Sequence, residues 1–235
     1  MTTIMRVTCW PSILAMLALA LALPACDDTG ATEMEGVAGG SGAAAQSEER
    51  MPAERAEPGE LAPAFTLTGS DGETYSLSDF RGQWVILEWI NHDCPYVRKF
   101  YNAGAMQALQ RQYTEQDVVW LSICSSAAGK QGHESPERWN ELTAEKDAAP
   151  TAVLIDDDGT VGRAYQATNT PHMYVIDPAG ELVYMGAIDS DSSASAAAIE
   201  TADNYVTMVM DAVLAGEAAP IQYTDAYGCT VHYPD

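Results

Sequence analysis

Apolar residues between positions 65 and 214 fall into two rhythms, compact runs and longer stretches at three-to-four spacing, and together these predict the secondary structure in order. Residues 65–67 and 74–77 flank Gly69-Ser70-Asp71-Gly72 and read as a hairpin. Residues 84–90 (WVILEWI) and 117–124 (DVVWLSIC) read as buried strands. Between them Val97, Phe100, Tyr101, Met106 and Leu109 predict one helix over residues 96–113. A second helix opens at Ser135, with Pro136 in its first turn and Glu137 and Arg138 behind it. A strand at 152–155, a turn at Asp156-Asp157-Asp158-Gly159 and a short helix at 161–166 follow. Residues 173–176 and 182–185 form a second hairpin across Asp177-Pro178-Ala179-Gly180, and 199–214 make the last long helix. This order specifies an α/β fold, a three-layer sandwich with a mixed central sheet and an N-terminal β-hairpin.

The flanks follow a different pattern. Residues 1–25 read as an export signal: Arg6 is their only charge, an apolar run spans 13–23, and small residues stand at Ala22 and Ala25. Leu23-Pro24-Ala25-Cys26 resembles the lipobox of bacterial lipoproteins, which implies acylation at Cys26 and a membrane anchor; ordinary signal cleavage is the alternative. Asp27 behind that cysteine resembles an inner-membrane retention signal. Either route places the mature protein in the periplasm or cell envelope, or outside the cell, where disulfides persist. Residues 26–57 are Gly, Ala, Ser and Glu with few large apolar side chains, so they read as a disordered linker. The folded domain is expected over 58–216, and 217–235 is a tail carrying Cys229.

Charge narrows the partners. The net charge is -23, from 34 acidic and 11 basic residues, and such a surface does not suit nucleic acid. The five cysteines, Cys9, Cys26, Cys94, Cys124 and Cys229, form neither a CxxC nor a zinc pattern, so no cofactor and no closed metal site is expected. Cys94 is the chemically informative one. It follows a strand and precedes Pro95, which costs no hydrogen bond in a first helical turn, so its sulfur sits where free amides and the helix dipole favour a thiolate.

The chain resembles the thioredoxin-like superfamily, and within it the redoxin (AhpC/TSA) branch. The residues that carry this are GELAPAFTL at 59–67, Asp71-Gly72, LSDFRG at 77–82, Cys94-Pro95, and Thr170-Pro171 before a strand. Asn91-His92-Asp93-Cys94-Pro95-Tyr96, GKQGH at 129–133, TPHMYVID at 170–177 and Tyr227-Gly228-Cys229 resemble a bacterial subgroup of redoxin-domain proteins. The resemblance implies a thioredoxin-like fold, a cis-proline at Pro171 beside the reactive cysteine, and thiol chemistry. Two departures qualify it: neither Asn91 nor Val97 supplies the second cysteine of a CxxC, and Asn91 and Leu87 stand where peroxiredoxins carry Thr and Pro.

A lone reactive cysteine needs a second thiol to resolve the sulfenic acid or mixed disulfide it forms. Cys229, freed to bend by Gly228, is the candidate; a permanent staple and no contact at all are the other readings. Cys124, at the end of a buried strand, reads as a small hydrophobe. His92, when charged, is positioned in sequence to stabilise a Cys94 thiolate, while His172 faces the opposite way and His133 lies in a loop. Arg98 is chosen over Lys99 as the cation that orients a substrate. Glu88 reads as a strand-end carboxylate or a buried proton carrier, and the Asp156–Asp158 cluster as turn chemistry. The expectation is an extracytoplasmic thiol oxidoreductase with antioxidant activity, acting on a small peroxide or a protein disulfide and recharged by an unidentified thiol reductant. Its rivals are a Sco-like Cu(I) binder using Cys94 with His92 or His172, and a non-catalytic binding domain.

Overall fold

The computed structural model describes residues 54–235, so the expectations for the signal segment, for Cys26 and for most of the linker lie outside the described residues. Seven strands form one mixed sheet. In chain order these are β1 (Thr66–Gly69), β2 (Thr74–Ser76), β3 (Val85–Trp89), β4 (Val119–Cys124), β5 (Ala152–Ile155), β7 (His172–Ile176) and β8 (Leu182–Gly186). Their spatial order is β2-β1-β5-β4-β3-β7-β8, with β3, β4 and β5 parallel and the flanking strands antiparallel. A separate two-stranded ladder joins β6 (Asn169–Thr170) to β9 (Cys229–Thr230).

The two-residue period of a strand sorts the side chains into two cores. Ile86, Trp120, Met173 and Val175 face one side, packed against α1 (Pro95–Asn102), α2 (Ala105–Thr114), α3 (Pro136–Glu145) and α5 (Tyr205–Leu214). Val85, Leu87, Trp89, Leu121 and Tyr174 face the other, covered by the N-terminal segment, α4 (Thr160–Ala164) and the chain end at Val231 and Tyr233. The α/β sandwich with its N-terminal hairpin is therefore as expected, and it is thioredoxin-like.

Three boundaries differ from the sequence reading. The helix predicted over 96–113 is two helices, because Gly104 takes φ +74°, a left-handed conformation that breaks the first and opens the second. The helix predicted over 199–214 is a 3-10 turn, Ala196–Glu200, followed by α5, whose start is fixed by the Asn204 side chain accepting the Thr207 amide at 2.9 Å. The folded body also begins before Pro58: the Ala56 amide donates to Ala164 O at 2.9 Å, and Ala56 is buried.

Residues 217–235 are sewn onto the body. Met185 donates its amide to Gln222 O (3.0 Å) and accepts from the Thr224 amide (3.2 Å), Val231 donates to Thr168 O (3.0 Å), and Ala127 donates to His232 O (2.7 Å). The tail passes along β8 and then crosses to the strand that precedes Pro171.

Candidate functional site

Strand β3 ends at Trp89, and the chain turns into α1 through Asn91-His92-Asp93. Asn91 is buried and shapes that turn: its Oδ1 accepts the Asp93 amide at 2.9 Å, and its carbonyl accepts the Cys94 amide at 3.0 Å. Gly132, at φ +89°, packs so closely on Asn91 that a Cβ there would lie 2.5 Å from the Asn91 side chain. The GKQGH segment is thus the backing of the loop that presents Cys94, and the Gly132 carbonyl also accepts the Cys124 S–H at 3.3 Å.

Cys94 is the N-cap residue of α1, and its side chain makes no capping hydrogen bond to the helix amides. Instead its S–H donates to Thr170 O at 3.1 Å, across the cis Thr170-Pro171 peptide's leading residue. Cys94 is completely buried. The tail packs beside it. In the β6–β9 ladder Thr170 stands opposite Cys229, whose side chain thereby interacts with that of Cys94. Burial first, then the hydrogen bond to Cys94 and the charge Cys94 carries when ionised, push the Cys229 thiol up to about 12, so Cys229 keeps its proton at neutral pH. The three described cysteines are free thiols.

Gly228 makes this closure possible. It adopts φ +128°, and a Cβ at this position would sit 2.0 Å from Thr170 O, the same carbonyl that receives the Cys94 thiol. Asn169 Nδ2 donates to Gly228 O at 3.0 Å. Tyr227 packs edge-on against Tyr96 of α1, ring centroids 5.8 Å apart, and its hydroxyl donates to Asp189. Asp189 in turn pairs with Lys99 at 3.1 Å, both side chains essentially without solvent contact, and Lys99 also donates to Asp191 O at 2.9 Å.

The other expected participants are placed elsewhere. Arg98 is exposed, so Lys99 and not Arg98 is the α1 cation drawn inward; the i to i+1 step around a helix turns the two side chains apart. His92 packs against Tyr101 (4.8 Å) and Trp139 (5.4 Å), and burial together with Lys146 and Arg138 lowers its pKa to about 4. A neutral ring supplies no positive charge to a thiolate. His172 lies on the opposite core face, stacked on Tyr174 at 4.6 Å and held by burial at about 3. Both imidazoles are engaged with aromatic rings, His92 with Tyr101 and Trp139 and His172 with Tyr174. His133 lies 3.9 Å from the exposed Asp157.

Cys124 is buried and its thiol is pushed up to about 11 by that burial, in keeping with an inert small hydrophobe. Asp156 caps the start of α4, accepting the Val161 and Gly162 amides at 3.2 and 2.8 Å and the Ser125 hydroxyl at 2.6 Å, which is turn chemistry as expected. Among the described residues no group of three or more His, Cys, Asp or Glu is arranged to hold a metal ion.

Glu88 is not at an exposed strand end. It is wholly buried on the Cys94 side of the sheet, where Trp120 Nε1 (2.9 Å), Ser122 Oγ (3.1 Å), Tyr101 Oη (3.1 Å) and Gln110 Nε2 (3.3 Å) all donate to its carboxyl group. Burial raises its pKa, and the four donors oppose that rise. The cleft of about 290 Å³ nearby is lined by His92, Arg98, Arg138 and Lys146, not by Cys94.

The comparisons with known proteins bear on the same stretch. The AhpC/TSA family model matches residues 58–185, just over half of the chain. The thioredoxin-like protein YneN of Bacillus subtilis (strain 168) is 29% identical over 122 residues, which is 52% of this chain and 66% of that protein, so the chain spans just under two thirds of this relative. An uncharacterized conserved protein from Geobacillus kaustophilus superposes with a TM-score of 0.64 at 25% identity, covering 76% of this chain and 93% of that one. The hypothetical protein SMc02350 from Sinorhizobium meliloti 1021 is similar in fold, with a TM-score of 0.63 at 23% identity over 76% of this chain and 96% of its own. With its matched segment carrying the Cys94 loop, β3 to β5 and the cis-proline strand, this chain belongs to the AhpC/TSA family.

Proposed function

We propose that the protein is a thiol–disulfide oxidoreductase whose working pair is Cys94 and Cys229. One observation carries this reading: the β6–β9 register sets Cys229 opposite Thr170, the residue whose carbonyl already holds the Cys94 thiol, so both sulfurs share one acceptor-lined site. We assign the attacking role to Cys94, the N-cap residue of α1 beside the cis-proline, and the resolving role to Cys229, which the tail brings to it.

The cycle balances without a cofactor. The Cys94 thiolate attacks one sulfur of a substrate disulfide, forming a mixed disulfide and expelling the other sulfur as a thiolate that takes up a proton. Cys229, losing its proton, attacks the Cys94 sulfur, forms the Cys94–Cys229 disulfide and releases the second substrate thiol. The substrate disulfide is reduced to two thiols, the protein dithiol is oxidised, and an external thiol reductant restores it. Disulfide substrates fit better than peroxides, because Arg98 points to solvent and Lys99 is committed to Asp189, so neither cation faces the sulfur. The apolar run over 13–23 and the Leu23–Cys26 motif support export, with Cys26 as the acylated first residue; the intact mass of the mature chain tests this by the presence or absence of lipid on Cys26.

Turnover is tested by dithiothreitol-driven reduction of insulin disulfides. Wild type is expected to turn over and Cys94→Ser to lose all activity above background, while reduced Cys229→Ser, freed of dithiothreitol and mixed with a substrate disulfide, is expected to hold substrate as a mixed disulfide on Cys94. Full activity in Cys94→Ser overturns the reading.

A further inference from the structure

The buried state of Cys94 poses a problem that the redox cycle does not solve: a sulfur with no solvent contact attacks nothing outside the protein. Tyr227, Gly228 and Cys229 of the tail pack against its site, and three contacts hold them down. The backbone of Gly228 lies against Thr170 O at a distance no side chain allows. Asn169 Nδ2 holds the Gly228 carbonyl at 3.0 Å. Tyr227 is the third and the most elaborate: its ring lies against Tyr96 and 5.6 Å from the Lys99 ammonium, and its hydroxyl ends on Asp189, the buried counter-ion of that same lysine.

A buried lysine–aspartate pair is an expensive foundation for a surface tail to stand on, since both charges are removed from water. The pair is not used by the cysteines directly. Asp189 has two oxygens, one for Lys99 and one for Tyr227, so the arrangement reads as a seat for the tyrosine hydroxyl. Lys99 and Tyr96 come from the helix that Cys94 caps, and Asp189 follows β8, along which the tail runs. The seat therefore ties the helix of one cysteine to the segment carrying the other.

We propose that Tyr227, seated on Asp189 and Lys99, is a positioning residue that latches the tail over Cys94, aligning Cys229 for resolution and opening to admit a substrate sulfur. This rests on the Cys94–Cys229 reading for its purpose, but not for its geometry. Closed, the latch shields Cys94 and raises the local concentration of Cys229 at its sulfur. Open, it exposes Cys94 and the unpaired edge of β6. Substrate attack belongs to the open form and resolution to the closed one, so the latch sets the order of the two steps.

The test uses the reduced full chain. Brief pulses of iodoacetamide, read by peptide mass spectrometry, give the alkylation rates of Cys94, Cys124 and Cys229 separately. Tyr227→Phe keeps the ring and removes only the hydroxyl; Cys94 is expected to react at least tenfold faster, with Cys124 unchanged as an internal control for global opening. Tyr75→Phe, which removes a tyrosine–carboxylate hydrogen bond in the distant hairpin, is expected to leave all three rates alone. The second readout is the equilibrium of the Cys94–Cys229 disulfide against a glutathione buffer, which a purely structural role does not move: in Tyr227→Phe the disulfide is expected to form several-fold less favourably. If Tyr227→Phe fails to accumulate, Gly228→Ala lifts the same segment from the Thr170 side and carries the same expectations. Unchanged Cys94 alkylation and an unchanged disulfide equilibrium overturn the latch while leaving the redox pair standing. Faster alkylation with no Cys94–Cys229 disulfide under any buffer sustains the latch as a lid and removes the redox reading instead.

Discussion

His172 shows how one hydrogen fixes a side chain's behaviour. The Tyr174 hydroxyl donates its only hydrogen to Tyr165 O at 2.8 Å, so its 3.2 Å contact with His172 has Nδ1–H as the donor, and Nε2 is left as a bare, buried lone pair. Burial holds the folded-state pKa at about 3, against about 6.5 unfolded. As pH falls below about 6.5 the unfolded chain takes the proton first, so this contribution to stability is present at neutral pH and lost on acidification. Glu88 runs the other way, its raised pKa withdrawing stability as pH climbs past the ordinary carboxylate value. Urea unfolding at pH 7.0 and 5.5 separates the two: His172→Gln is expected to shrink the stability difference between these conditions by about 1 kcal/mol. An undiminished difference contradicts a neutral buried imidazole. Glu88→Gln, which turns two of its hydrogens toward four donors, is expected to cost about 1–3 kcal/mol at pH 7 in the same assay. Sequence could mark Glu88 as a polar break in an apolar run, yet its destination was not legible, because Tyr101, Gln110, Trp120 and Ser122 reach it from three different segments.

Strands and helices with a sustained period were readable, and those without one were not. Residues 84–90 and 117–124 announce β3 and β4 through unbroken apolar runs, and Val97 and Phe100 announce α1. By contrast β6 and β9 are two residues each, too short for any period, and pair across a separation of 59 residues. The break at Gly104 had a signal in the glycine itself. Sequence reasoning favoured Arg98, but the placement of Asp189, which no local pattern announces, draws Lys99 inward instead. That burial has a measurable price: Asp189→Ala leaves the Lys99 ammonium unpaired in the interior and is expected to destabilise the protein by about 3–5 kcal/mol in chemical denaturation, a loss of less than 1 kcal/mol arguing that water reaches the site. Gly228→Ala is expected to detach β9 from β6 and expose Cys229, seen as loss of hydrogen-exchange protection at the Val231 amide with β3 and β4 unaffected.

Across the protein as a whole, the division of labour follows the sheet. One face buries helices against β3, β4 and β7, with Glu88 inside it and Cys94 at the start of α1; the other is closed by the N-terminal segment and the last residues of the chain. The tail thereby belongs to the fold and to the proposed site at once, contributing Val231 to a core and Cys229 to the proposed reactive pair. A chain with a net charge of -23 nevertheless spends one of its few lysines inside, beneath that tail. Both the proposed chemistry and its latch come down to whether Cys94 and Cys229 meet. Peptide mapping after oxidation of the reduced chain with a small disulfide decides it: the structure predicts a Cys94–Cys229 disulfide in each chain, reversed by dithiothreitol, with Cys124 remaining a free thiol. Recovery of Cys94 as a free thiol, or joined to Cys124 instead, contradicts the account.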